Sequence, residues 1–492
     1  MASTYLGSKG YSIYKECLTI EEQECIRREL TVKAFAPKSC IKQPDPFAIY
    51  RESQKKFYVP RFYGIDSYGD PDENRLSDGH KIKLKFKGEL RDIQKPIVSK
   101  YLKHAKINGC GLIEIYCGAG KTVMALNILA RIKRKTLIVV HKDFLLRQWK
   151  ERIEQFLPGA KVGRIQADIM DVEGKDIVIG MLQSLSMKEY PPSVFKEFGF
   201  TIFDECHHIS AEVFSRSLFK IVTKYILGLS ATMDRKDGLT KVFKQFIGPV
   251  VVKKERPLQD NVVVKAIEYT SNDEQFSKVE LNFRGQTAYA LMIKKLCEFN
   301  RRSEFILKVL INILKKDTSE LHIMIIGHNK SLLKYLHDAI ENRKIAPVGY
   351  YVGGMKEADL KESEGKKIII ATYAMAEEAL DIKTLSALIM VTPKVDVRQA
   401  VGRILRNVEG KKLVVDIIDQ HELFRRHWKK RQTWYKKQKF KIMRTDMKGY
   451  DNDEWEEIHT KKSKTSKKSK TNQISGKSDP IQKLLIGKCL ID

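Results

Sequence analysis

Residues 117–122 of this 492-residue chain read CGAGKT. They follow a short apolar run, residues 111–116 (GLIEIY), and precede a helix-patterned stretch, VMALNILARI. A glycine-bearing loop between strand and helix is what a phosphate cradle requires. Gly118 and Gly120 let backbone N–H groups approach phosphate oxygens, and the helix start adds its dipole. Lys121 would reach the β- and γ-phosphates, and the Thr122 hydroxyl would ligate Mg²⁺. The expected nucleotide-binding stretch is Ile115, Tyr116, Cys117, Gly118, Ala119, Gly120, Lys121 and Thr122, with ATP and Mg²⁺ as ligands. Ile115 stands where the strict G-x-x-x-x-G-K-[ST] string has its first glycine.

A second group, Asp204, Glu205, Cys206 and His207 (DECH), ends the apolar run FTIF. A carboxylate at the C-terminal edge of such a strand faces the phosphate loop in a doubly wound sheet. Asp204 would hold Mg²⁺, directly or through water, and Glu205 would polarise the attacking water. An ordinary turn with two adjacent acids is the competing reading. Zinc is disfavoured, because consecutive Glu-Cys-His-His lacks the spacing of metal ligands.

The elements that must position these groups follow from hydropathy. Residues 111–116, 136–140, 176–180, 200–203 and 225–229 each fit a buried strand, with helical patterns between them such as residues 144–156 and 211–222. The alternation returns at residues 321–327, 345–351, 367–372, 387–392 and 413–418. Strands alternating with helices predict parallel sheets covered on both faces. The expected architecture is two tandem α/β domains, residues 86–250 and 290–424. A charged linker or insert would occupy 251–289, an N-terminal unit without a motif 1–85, and a basic, partly disordered tail 425–492.

Lys plus Arg number 90 against 61 Asp plus Glu, a formal charge of +29. That excess favours a polyanionic partner, with nucleic acid ahead of an anionic membrane surface or simple solubility. Residues 425–444 concentrate ten of these cations with Trp428, Trp434, Tyr435 and Phe440 interleaved, a pattern suited to stacking bases and neutralising phosphates. A solvated charge run is the alternative. Residues 461–470 (KKSKTSKKSK) read as a low-complexity tether. No window holds 18 uncharged apolar residues, and the start lacks an apolar leader, so neither a membrane span nor secretion is expected. Eight scattered cysteines without a CxxC pair suit reduced thiols.

The motif order is specific. CGAGKT, then DECH, then Ser230-Ala231-Thr232 in LSAT resembles the superfamily 2 helicases and translocases. Further matches follow in that family's order. LRDIQ (residues 90–94) places Gln94 where the family reads adenine. ATYAMAEEALD (371–381) resembles the motif that couples ATP to nucleic acid, with Asp381 in it, although Ala379 stands where glycine is usual. QAVGRILR (399–406) resembles the last motif, containing Gln399 and Gly402, with Ala400 where a charged residue is often found. In it Arg403 and Arg406 would be arginine fingers on the γ-phosphate. The resemblance implies two RecA-like domains with ATP between them. It also implies nucleic-acid contacts from residues 140–149, 183–184, 328–330 and Thr372, for which helix caps and surface polar groups are the competing reading.

LRDIQ, CGAGKT and SATMDRKDGL resemble the XPB-like branch of duplex DNA translocases, with Lys236 replacing that branch's acid in the Arg235-Lys236-Asp237 element. With the length and the basic tail, the set is similar to the poxvirus transcript-release DNA helicases. That resemblance implies a DNA-dependent ATPase with 3′-to-5′ unwinding, partnered with viral RNA polymerase or other transcription factors. It further implies a place in virions and the host cytoplasm. Three classes stay open on sequence: a strand-separating DNA helicase, a duplex translocase that remodels protein–DNA complexes, and a non-motor basic binding factor. An RNA substrate is also open.

Overall fold

The computed structural model describes residues 3–36, 43–210, 212–235, 237–258, 261–316, 321–378, 382–406 and 410–458. Two eight-stranded sheets dominate. In the first, the strand order is Ile169–Met170, Val162–Gln166, Ile177–Met181, Thr136–Val140, Phe200–Phe203, Tyr225–Ser230, Cys110–Ile115 and Val250–Lys254. All neighbours are parallel except the outermost pair at residues 162–170. Thr136–Val140 and Ile177–Met181 are buried at every residue, which explains their unbroken apolar runs. Helices Lys95–Asn108, Lys121–Ile132 and Asp143–Phe156 cover one face, with Trp149, Ile153 and Met124 in the core.

The second sheet runs Val348–Tyr351, Ile368–Thr372, Ile323–Gly327, Ala387–Met390, Lys412–Asp419, Val262–Tyr269, Lys441–Asp446 and Glu456–Glu457, parallel except for the last pair. Helices Asn300–Lys316 and Lys330–Asn342 pack on one face and Arg398–Ile404 and Glu422–Lys437 on the other. The two doubly wound α/β units match the expected fold class.

Two assignments need correction. Residues 251–289 are not a linker alone, because Val250–Lys254 is the edge of the first sheet and Val262–Tyr269 lies inside the second, between Lys412–Asp419 and Lys441–Asp446. The charged residues of 262–269 hid the strand, since Lys265 and Glu268 interrupt its apolar pattern.

Residues 425–458 are likewise part of the second domain and not a tail. Helix Glu422–Lys437 places Trp428, Arg431 and Tyr435 on one face at helical spacing, and all three are buried. Phe440 is buried beside them, so these side chains fill the core and are closed to bases. Arg431 clamps Asp416 through two hydrogen bonds of 2.7 and 2.8 Å, and the Tyr435 hydroxyl donates to the same carboxylate at 3.2 Å. A second fully buried pair, Arg302 on Asp419 at 2.5 and 3.0 Å, fixes the far end of the same strand. Residues 461–470 lie outside the described residues.

Residues 1–85 form a unit that docks on the first domain. Its five-stranded sheet runs Arg51–Glu52, Lys56–Val59, Gly10–Tyr14, Thr4–Gly7 and Glu73–Asn74, beside a two-stranded pair, Thr31–Val32 and Phe47–Ala48. Tyr11, Ile13, Phe57 and Val59 share a continuous core with Leu137, Phe203 and Ile247. Arg61 ties the two units, donating to the Asn108 carbonyl at 2.9 Å and to Cys110 Sγ at 2.9 Å. Among the described residues, no helix is long and apolar enough to cross a membrane.

Candidate nucleotide and nucleic-acid site

The phosphate-loop candidate leaves the C-terminal end of Cys110–Ile115 and turns into Lys121–Ile132. Ile115 is the strand's last residue and buried, so the absent first glycine costs the loop nothing after it. Gly118 and Gly120 hold φ of +86° and +84°, which side-chain-bearing residues rarely adopt. A Cβ at Gly120 would lie 2.4 Å from Gln94 Nε2, so the space is filled as well as strained. Gln94 is buried; its amide donates to the Ala119 carbonyl at 2.7 Å, and its oxygen accepts from the Arg91 N–H at 3.0 Å. Gln94 is therefore a strut under the loop.

Lys121 Nζ sits 2.5 Å from Glu205 Oε1. Burial opposes the charge on each, yet their mutual attraction wins. The Lys121 pKa is held above its usual value and that of Glu205 below. Asp204 follows Phe200–Phe203; its Oδ2 accepts the indole N–H of Trp149 at 2.9 Å, and its Oδ1 accepts the Glu205 N–H at 3.0 Å. Burial, and then the charge of Glu205, raise the Asp204 pKa. Glu205 itself has φ of +45°, a strained value for a non-glycine residue. Thr122, half-buried in the first helical turn, and Asp204 offer a hydroxyl and a carboxylate at the loop. Hard oxygen donors of this kind fit Mg²⁺.

Cys206 points away from this group and is fully buried, with Sγ 3.8 Å from Met233 Sδ. His207 Nδ1 lies 2.8 Å from Ser230 Oγ, which donates to the Thr232 carbonyl at 2.7 Å. Ser230 Oγ is also 3.4 Å from Glu205 Oε2. DECH and Ser230-Ala231-Thr232 are thus joined by one hydrogen-bonded path. Arg235 extends it, donating to the His207 carbonyl and pairing with Asp237.

From the second domain, helix Arg398–Ile404 meets the loop directly: a Cβ at Gly402 would lie 3.4 Å from Cys117 Cβ. Arg406, past the helix end, brings its Cγ within 3.3 Å of the Cβ position of Gly118. Arg403 behaves differently; it is buried and donates to the Glu377 carbonyl inside its own domain. Gln399 lies in the first turn of the same helix and is partly exposed. Asp381, with Ala379, lies outside the described residues.

Several expected nucleic-acid contacts have local employment. Asn329 caps Lys330–Asn342 by accepting from the Ser331 and Leu332 N–H groups at 2.7 and 3.2 Å. His328 Nδ1 lies 2.8 Å from Thr392 Oγ1, and Thr372 Oγ1 accepts from the Met375 N–H at 3.4 Å. Gln183 donates to the His141 carbonyl at 2.8 Å.

One residue was invisible to motif reading. Arg256 donates to the carbonyls of Cys117, in the loop, and Leu405, in the last motif, the latter at 3.0 Å. Its guanidinium also stacks 4.8 Å from the Tyr116 ring centroid. Burial lowers its pKa. A lone arginine in a charged segment gives no sequence signal of such a bridge.

A family model described as type III restriction enzyme, res subunit, matches residues 87–235. A protein of Acanthamoeba polyphaga mimivirus, named as an ATP-dependent RNA helicase, is 36% identical over 451 residues, covering 88% of this chain and 85% of that one. The chain belongs to the superfamily 2 helicases. It is an ATP-hydrolysing helicase, as the family is. A helicase-named protein of Invertebrate iridescent virus 6 is 26% identical over 72% of this chain and 83% of its own length. The solved structure of S. cerevisiae Dbp5 bound to RNA and ADP BeF3 is 12% identical with a TM-score of 0.51, covering 79% of this chain and 94% of that one, a likeness of fold.

Proposed function

We propose that this helicase is a DNA-dependent ATPase with 3′-to-5′ polarity that acts in viral transcription elongation and termination, releasing transcripts. The observation that carries the motor reading is the seating of the last motif against the phosphate loop, with Gly402 and Arg406 over Cys117 and Gly118. A nucleotide at that seam touches both domains, so its binding and loss can open and close them.

In this reading Lys121 binds the β- and γ-phosphates and Arg406 faces the γ-phosphate, with Arg403 reaching it only on closure. Glu205 takes the proton of the attacking water. Mg²⁺, held by Thr122 and Asp204, would neutralise phosphate charge. Ile115, Tyr116, Cys117, Ala119 and the glycines form the cradle, Gln94 supports it and reads the adenine, and Ser230, Ala231, Thr232, Asp381, Gln399 and Gly402 couple it to the polymer. The two motor domains are assigned near residues 86–254 and 262–458.

The choice of DNA and of transcript release rests on the resemblance to the XPB-like branch and the poxvirus transcript-release helicases. The same reading implies partnership with viral RNA polymerase or other transcription factors, in virions and the host cytoplasm. An RNA substrate is the second reading, favoured by the mimivirus relative's name. Strand displacement on 3′- and 5′-tailed DNA and RNA duplexes decides: opening of 3′-tailed DNA alone is expected. RNA-only opening would overturn the DNA assignment. Streptavidin displacement without strand opening would establish the duplex translocase.

A further inference from the structure

The second domain carries a cleft of about 720 Å³ at the edge opposite the nucleotide. Ser386 immediately precedes Ala387–Met390, Lys412 opens Lys412–Asp419, and Leu321 lies two residues before Ile323–Gly327. These are amino-terminal strand ends. Ligands of doubly wound sheets gather at the carboxyl ends, where Thr372 ends its strand and His328 and Gln399 follow theirs. The cleft therefore needs its own explanation.

Among the described residues its lining is cationic: Lys265, Lys316, Lys411 and Lys412 stand against one carboxylate, Asp453. That carboxylate is engaged, since Lys316 Nζ is 2.5 Å away and Trp455 Nε1 donates to it at 3.0 Å. Lys265 lies 5.1 Å from the Trp455 ring centroid. Lys412 is 4% exposed. Among the described residues no carboxylate or carbonyl meets its ammonium, and burial alone lowers its pKa. Lys412 lines the cleft, so its ammonium reaches the cleft with no counter-charge beside it. An anion in the cleft would supply that counter-charge, and lysines are point-charge ligands for phosphate. Thr384 and Ser386 add hydroxyls to the same wall.

We propose that this cleft is a second anion site that binds phosphate groups, presented either by a nucleic-acid strand or by a free polyphosphate.

The test is lysine acetylation footprinting of the full chain, read by mass spectrometry at Lys411, with a single-stranded oligonucleotide, sodium tripolyphosphate or polyglutamate. Occupancy at ten times Kd is expected to slow acetylation of Lys411 by about tenfold. Protection by the oligonucleotide assigns the site to a nucleic-acid strand, and protection by tripolyphosphate alone to a free polyphosphate. Lys412→Met, whose chain suits burial, is expected to abolish the protection while polymer-free ATP turnover stays unchanged. Should that variant fail to fold, Lys411→Gln, at an exposed position, serves with Lys316 as reporter. Protection by polyglutamate alone, by neither phosphate ligand, or undiminished in the folded variant would overturn the proposal. Footprinting needs no turnover, so its failure is distinct from failure of the helicase assignment.

Discussion

Trp149 donates its indole N–H to Asp204 Oδ2 at 2.9 Å, so a residue of helix Asp143–Phe156 fixes the rotamer of the proposed Mg²⁺-holding acid. Because Asp204 Oδ1 also accepts the Glu205 N–H, one indole orients the whole acidic pair.

Trp149→Phe keeps the buried ring and removes that donor. Hydrogen bonds to charged groups are worth about 1.5–3 kcal/mol, so kcat is expected to fall roughly 10- to 100-fold with a raised Mg²⁺ requirement. Melting should move by only a few degrees. Unchanged kcat and Mg²⁺ dependence in a folded variant would remove Trp149 from the site.

Arg256→Ala severs the link from Cys117 to Leu405. Polymer-stimulated kcat should drop by about tenfold, with KM for ATP moving less, because the loop itself stays intact. Arg256→Lys should not restore it, since an ammonium cannot span both carbonyls and stack on Tyr116. Wild-type kinetics in Arg256→Lys would show that charge alone suffices.

The second domain depends on residues 425–458. Ending the chain at 424 removes the strand Lys441–Asp446 and leaves Asp416 buried without Arg431, so soluble folded protein should be lost. Arg431→Met should cost about 3–5 kcal/mol in chemical denaturation. Ending the chain at 458 should preserve melting and saturating kcat while weakening nucleic-acid affinity and flattening its salt slope. An active protein ending at 424 would contradict the placement.

His427 supplies a pH signature. Burial, with Arg431, Lys430 and Arg426 nearby, pushes its pKa from 6.5 down to about 4. The folded value lies below the unfolded one, so the folded state binds fewer protons. The neutral ring's contribution is complete above pH 6.5 and lost as pH falls from 6.5 through 4. His427→Gln should flatten the decline of Tm across that window. A parallel decline in both proteins would mean the ring is not buried neutral.

Five strands of each eight-stranded sheet were legible because parallel strands buried on two faces read as apolar runs, as at Thr136–Val140 and Ile177–Met181. The loop and acidic residues were legible for a related reason: phosphate and Mg²⁺ chemistry restricts residue type within a few positions. Val262–Tyr269 was missed because Lys265 and Glu268, both partly exposed, break its apolar pattern. The aromatic residues of 425–444 misled because Trp428 and Tyr435 lie among cations in sequence, whereas helical periodicity sends them inward and the cations outward. Arg256 was invisible because its partners, Cys117 and Leu405, are 139 and 149 residues away.

The central claim is an ATP-driven nucleic-acid motor centred on Lys121 and Glu205. Its most direct test is steady-state ATP hydrolysis with no polymer, single-stranded DNA, duplex DNA or RNA, in the natural chain and in Lys121→Ala. The account predicts turnover stimulated by DNA that falls to background in the variant. Flat turnover indifferent to polymer and to Lys121 would contradict it.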